Sequence, residues 1–168
     1  MVEFLRWVWE QFERYILPFT IIHIYERGVK LTFGKNPIPT KCGLVFKVPF
    51  MHEVYTETVT PNTLQAKCVH VTTIDGKTVS VSPAIEYIIE DVVKWIVETN
   101  DAITNLHDIL RYETADHITE LTWDECKKKS TCTDIRRELN KKAFEMGARI
   151  IRVMFTDISQ SRVIITSI

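Results

Sequence analysis

The side chains able to do chemistry are spread along the chain without the spacings that chemistry needs. Four cysteines, Cys42, Cys68, Cys126 and Cys132, are scattered, and no pair has the C-x-x-C arrangement of a zinc site or a dithiol redox motif. Free thiols in a reducing compartment are expected, with no metal and no cofactor. The histidines are likewise dispersed: no H-E-x-x-H occurs, and His107 and His117, ten residues apart, do not share one helical face. The carboxylate-rich stretch from Glu113 to Glu125 includes His117, which would suit the acid/base pair of a small hydrolase. Helical faces that meet water gather such clusters routinely, so a structural role is the expectation. No G-x-S-x-G elbow, Walker loop or G-x-G-x-x-G is present, no catalytic residue is assigned, and the chain is not expected to be an enzyme. The run Lys127-Lys128-Lys129 offers charge to phosphates but has no aromatic stacking platform beside it. With a net charge of −1, the chain is not expected to coat nucleic acid.

Composition bounds the elements that must position these groups. The chain has 168 residues, 45% of them hydrophobic, enough for one domain with a buried core. Charge is segregated beneath the near-neutral average. Arg27 to His52 holds five basic residues, Arg27, Lys30, Lys35, Lys41 and Lys47, and no acidic ones. Glu86 to Glu125 has eleven acids against Lys94 and Arg111, and Cys126 to Arg152 has nine basic residues against three acidic. Such blocks either pair, within a molecule or between copies, or form the solvated faces of separate elements.

The first seventeen residues read as an amphipathic helix. At about 100° per residue, Val2, Phe4, Leu5, Val8, Trp9, Phe12, Tyr15 and Ile16 fall on one broad face, and Glu3, Arg6, Glu10, Glu13 and Arg14 on the other. The segment is interrupted by charge, is shorter than the ~20 apolar residues of a membrane span, and ends at Pro18. It also lacks the basic start and unbroken apolar centre of a signal peptide. Its apolar face either lies in a membrane interface, where each large side chain is worth up to ~1.5–3 kcal/mol, or packs on the protein's own core. Its polar face, mixed in sign, adds little attraction to anionic lipid.

Strand signals follow. Tyr25 to Phe50 reads as a paired-strand unit: Glu26-Arg27-Gly28-Val29 opens a strand that Gly34 closes, Pro37 and Pro39 stiffen a loop, and Gly43 starts the second strand of the pair, through Phe46 and Val48 into Pro49-Phe50. Cys68 to Ile89 reads as a β-hairpin, with Asp75-Gly76 as a two-residue turn and Val79, Val81, Ile85 and Tyr87 alternating beyond it. Pro83 cannot donate to a ladder, so its strand is an edge or carries a bulge there. The second half is helical. A short helix from Glu90-Asp91 carries Val92, Val93, Ile96 and Val97 and ends at Thr99-Asn100. A second shows Ile103, Leu106, Ile109 and Leu110 at helical spacing. Thr122 and Glu125 form a capping-box pattern, so a third helix starts at Trp123, passes Ile135 and Leu139, and stops at Gly147. Ala148 to Asp157 is then a final strand. Strands, then helices, then one closing strand argue for an α+β fold.

These segments, in this order, resemble the SPFH superfamily, also called the band 7 or stomatin/prohibitin/flotillin domain. The likeness rests on the E-x-G-V of Glu26 to Val29, the G-x-x-F-x-x-P-F of Gly43 to Phe50, and the Asp75 strand pair that leads to Tyr87. It continues through Glu120-Leu121-Thr122-x-Asp124-Glu125 and Ile135-Arg136-x-x-Leu139 to Gly147, Val153 and Asp157-Ile158. It departs at Ala115, Thr119 and Met146, where the family often has Arg, Gly and an aromatic, and in ending at Ile168 with no coiled coil, as a short form would.

The resemblance implies an antiparallel-rich domain over residues 20–160, preceded by the amphipathic helix of residues 1–19 and followed by a tail, 161–168. It also implies a non-enzymatic, membrane-associated protein, peripheral or monotopic and facing the cytoplasm, that self-associates as a dimer or small oligomer and scaffolds or regulates membrane proteins. On this reading Phe4, Leu5, Val8, Trp9, Phe12, Tyr15 and Ile16 enter the interface, and Arg27, Lys30, Lys35, Lys41 and Lys47 face lipid headgroups. Two alternatives stand beside it: a soluble adaptor that modulates a membrane-bound protease, and the small Glu/His hydrolase.

Overall fold

A computed structural model describes residues 18–160 of the chain, together with Glu3 and Arg6. Among these residues the chain forms strands β1 (Phe19–Ile22), β2 (Glu26–Thr32), β3 (Lys35–Thr40), β4 (Gly43–Phe46), β5 (His52–Thr58), β6 (Asn62–Gln65), β7 (Val69–Thr72) and β8 (Thr78–Ile89). A π-helical turn (Lys94–Glu98) leads to helices α1 (Ala102–Thr119), α2 (Trp123–Cys126) and α3 (Lys129–Glu145), and β9 (Ala148–Gln160) closes the order. This is the α+β arrangement of strands, helices and a returning strand. Of the expected N-terminal helix only Glu3 and Arg6 are described, both helical and exposed. Phe4, Leu5, Val8, Trp9, Phe12, Tyr15, Ile16 and the tail from Ser161 lie outside the described residues.

The core is built on β8. Antiparallel to it run β6 and β7 along one side and β9 along the other. Helix α3 packs on β9, and α1 packs on α3 and β7. Leu106, Leu110 and Ile118 from α1 and Ile135, Leu139 and Ala143 from α3 are fully buried, together with Val79, Val81 and Ile85 of β8. Four-residue steps on the helices and two-residue steps on the strand gather these side chains inside, Val79, Val81 and Ile118 in one cluster and the others in a second. Each large one contributes about 1.5–3 kcal/mol by leaving water. The π-helical turn seats Trp95 against Tyr87, ring centroids 5.7 Å apart. Gly147 takes a left-handed conformation, φ 82°, and its carbonyl accepts from Glu90 N–H and Asp91 N–H. A Cβ there would collide with the Asp91 carbonyl oxygen, so only glycine lets α3 turn into β9 at this place.

Several local expectations are corrected. Pro37 and Pro39 belong to a strand, β3, and not to a loop; β3 is the edge of the sheet β3-β2-β5, where a missing N–H is tolerated. Gly43–Phe46 pairs with β1 and not with β2. The β7–β8 turn has three residues, Ile74-Asp75-Gly76, because Thr73 N–H bonds the Lys77 carbonyl at 3.0 Å and Gly76 N–H the Thr73 carbonyl at 2.9 Å. Gly76 is the left-handed residue of that turn, φ 72°. β8 is central and not an edge; Pro83 sits at a register shift opposite Phe155, so the bulge accommodates it. The capping box of Thr122 and Glu125 is present, but the helix it starts is short. The Thr131 hydroxyl returns to the Glu125 carbonyl at 2.9 Å, and α3 begins anew after Lys128.

Candidate functional site

The β1–β4 ribbon stands outside the core, and its two faces differ. Pairing of Phe19 with Phe46 and Ile21 with Leu44 puts those four side chains on one face, because alternate residues of paired strands point the same way. All four are exposed: Phe19 48%, Ile21 67%, Leu44 68% and Phe46 55%. Phe19 and Phe46 meet edge to face at 5.6 Å. On the inner face Ile22 is buried over Gly28. A Cβ on Gly28 would lie 3.0 Å from Ile22 Cδ1 and 2.8 Å from both Thr40 Oγ1 and the Tyr55 carbonyl oxygen. The glycine of the E-x-G-V segment is therefore the contact through which the ribbon is attached to β2, β3 and β5.

The end of the ribbon nearest the chain start is tied to a turn. Lys47 N–H donates to the Pro18 carbonyl at 2.8 Å. Val48 N–H donates to His52 Nδ1 at 2.9 Å, and His52 N–H to the Val48 carbonyl at 3.0 Å, so the His52 side chain and backbone together close this turn. A groove of about 590 Å³ runs between ribbon and sheet here, lined by Thr20, Lys47, Pro49, His52 and Tyr55 among others. In register the five basic residues divide. Lys35, paired near Thr32, and Lys47 lie at this end. Lys30 is midway, between Ile38 and Val54. Arg27 and Lys41 lie at the opposite end, roughly 16 Å along the sheet at ~3.3 Å per residue. The acid-free run in sequence also acquires acids in space, since β5 pairs Glu57 with Arg27 and Glu53 with Leu31.

The groups that invited a chemical reading serve the fold. Glu113, buried on α1, forms an ion pair with Lys142 of α3, and that carboxylate raises the lysine above its ordinary range. Glu125 is held below the carboxylate range by the Thr122 backbone N–H and then the Thr122 hydroxyl. Cys42 and Cys68 are exposed thiols, while burial raises those of Cys126 and Cys132. Among the described residues no group of three His, Cys, Asp or Glu could hold a metal ion, and no helix is long and apolar enough to cross a membrane. The strand from Gly43 through Phe46 was read from the sequence, but β1 and its pairing with β4 were missed. The alternation of Phe19, Thr20 and Ile21 is the local signal of β1, and it lies beside Pro18, where a helix ends.

The architecture defines an α+β domain of antiparallel strands followed by helices and a closing strand, with an apolar ribbon beside the chain start. A family model described as the SPFH domain / Band 7 family matches residues 20–168, and the chain belongs to that family. Proteins of this family typically associate with membranes and oligomerise. No curated protein matches the chain.

Proposed function

We propose that the protein is a non-enzymatic scaffold that rests on the cytoplasmic surface of a membrane, self-associates, and holds or regulates membrane proteins there. The observation that carries this reading is the outer face of the β1–β4 ribbon. A two-stranded ribbon is marginal in water by itself, and a contiguous apolar face beside basic residues marks an interaction surface. In this reading Phe19, Ile21, Leu44 and Phe46 meet the acyl boundary. Lys35 and Lys47 meet headgroups first, and Lys30, Arg27 and Lys41 add attraction from higher on the sheet. Phe4, Leu5, Val8, Trp9, Phe12, Tyr15 and Ile16 of the preceding segment share the interface. A second reading is a soluble adaptor for a membrane-bound protease, in which residues 1–17 cover the ribbon instead; the nearness of Pro18 to Lys47 favours it equally. Vesicle flotation tests the pair. The full chain is expected to float with vesicles, and a chain starting at Thr20 to float less. If both remain in the soluble fraction and the shorter one is less stable, the helix belongs to the domain and the membrane reading fails. A strictly monomeric mass at high concentration would sink the scaffold part.

A further inference from the structure

We infer that the cleft between helix α3 and strand β9 is a binding site for a small phosphate monoester carried on an apolar group. The cleft encloses about 490 Å³ and shares no residue with the groove at the ribbon, so it is separate from the surface on which the membrane reading rests. Its position follows from the helix period and from one irregularity in the strand. Lys129, Thr133 and Arg136 recur at steps of four and three residues, fall on one face of α3, and line the cleft opposite Arg152 and Met154 of β9. In β9, Arg152 pairs with Glu86 and Ile150 with Tyr87, so Ile151 is an extra residue without a partner on β8. Arg136 Nη1 donates to the carbonyl of that bulged residue at 3.0 Å. The bulge thus fixes one guanidinium beside the strand. The next residue, Arg152, brings a second, held by Glu86 at 3.1 Å.

Charge in the cleft is one-sided. Lys129, Arg136 and Arg152 line it with no carboxylate among the lining residues, and Lys129 has no acid partner among the described residues. Glu86 offsets Arg152, which leaves a net charge of about +2 to meet the roughly −1.5 to −2 of a phosphate monoester at neutral pH. A guanidinium has more N–H donors than the one that Arg136 and Arg152 each spend on the fold, and its fork suits phosphate oxygens. The Thr133 hydroxyl, a long 3.4 Å from the Lys129 carbonyl, is a further donor. No acidic residue stands in the first turn of α3, so no carboxylate of that turn competes with a bound anion. The rest of the lining is not ionic. Val153 is buried, and Met154 and Cys132 are half-buried. Burial raises the Cys132 thiol, so it faces a ligand as a neutral, polarisable wall and not as a competing thiolate. A bare ion would leave this apolar surface unused, whereas a phosphate with an apolar substituent engages both parts. The volume is within the range of small-molecule sites.

The test titrates the full chain, isotope-labelled for amide NMR, with phenyl phosphate, and separately with inorganic phosphate and with phenol as the two halves of that probe. The Thr133 and Met154 amide signals should move, with an affinity for phenyl phosphate about tenfold or more above that for either half. Lys129→Glu should weaken phenyl phosphate by about tenfold or more. Its urea midpoint should hold or rise, because an acid in the first turn of a helix is favourable. Should that variant not fold, Lys129→Gln is read in the same way. Shifts at these amides that the charge change weakens support the site. Four results overturn it: no shifts at millimolar phenyl phosphate, shifts confined to other elements, equal binding of either half of the probe, or a Lys129 variant that binds as tightly as wild type.

Discussion

Replacing Asn140 by leucine should destabilise the domain by about 1–3 kcal/mol through one hydrogen bond. β9 has β8 as its strand partner, so backbone groups that β8 does not take must be satisfied elsewhere. Helix α3 supplies the partners at four-residue spacing. Arg136 Nη1 donates to the Ile151 carbonyl at 3.0 Å, and Asn140 Oδ1 accepts from Ile150 N–H at 2.8 Å. Ile150 is only 3% exposed, so removing its acceptor leaves a donor that water does not reach. With a urea slope of ~1–3 kcal/mol/M for a small domain, the midpoint should fall by roughly 1 M. Asn140→Asp is the control, because it keeps an oxygen in the same place and should stay close to wild type. Urea denaturation followed by circular dichroism reads both. If the leucine variant matches wild type while the aspartate variant is the weaker, the hydrogen bond is not what holds this edge, and the account of α3 as the cover of β9 is wrong.

Gly28→Ala should loosen the ribbon selectively, since the new methyl meets the Tyr55 carbonyl oxygen and Thr40 Oγ1 at 2.8 Å. Amide hydrogen exchange is expected to speed up in β1 and β4 with little change in α1 and α3, and uniform protection would contradict it. Acid should weaken the fold in a stated direction. Asp101 is lowered by Thr104, Glu125 by Thr122 and Asp75 by the Thr73 hydroxyl. These folded carboxyls hold protons less tightly than unfolded ones, so their stabilisation is present above the ordinary carboxylate range and is lost as pH falls through and below about 4. Glu125→Gln should flatten that acid limb, and a urea midpoint that rises on acidification would refute the assignment.

How much of this was legible in the sequence depended on how local each signal was. Leu106, Leu110, Ile135 and Leu139 repeat within single helices, and Gly147 is required by its own φ, so α1, the body of α3 and its stop could be read directly, but not the break between Cys126 and Lys129. β3 could not, because Pro37 and Pro39 exclude a strand only where both sides must be paired, and its edge position is a property of the whole sheet. The partner of β4 is also non-local: Gly43–Phe46 reads as a strand, yet nothing within it points to Phe19–Ile22. Asp75-Gly76 was recognisable as a turn, but its length is set by Thr73 and Lys77 closing around Ile74. The basic run from Arg27 to Lys47 illustrates the same limit in electrostatics, since Glu53 and Glu57 arrive from the next strand.

The exposed apolar end is not a sign that the domain is careless with its surfaces. An open strand edge invites unwanted pairing, and elsewhere the edges are closed deliberately. Arg136 and Asn140 cover β9, while two prolines in six residues make β3 a poor template for an added strand. Helix α1 turns its apolar side inward, and its single buried carboxylate among the exposed acids, Glu113, is paired. Against that background, the ribbon aligns Phe19, Ile21, Leu44 and Phe46 on one exposed face, whereas other exposed large apolar side chains such as Ile74, Tyr112 and Phe144 stand on separate elements. On the membrane reading proposed above this face is the part of the domain that meets the bilayer, because four apolar side chains aligned by one strand pairing form a contiguous patch and single exposed residues do not.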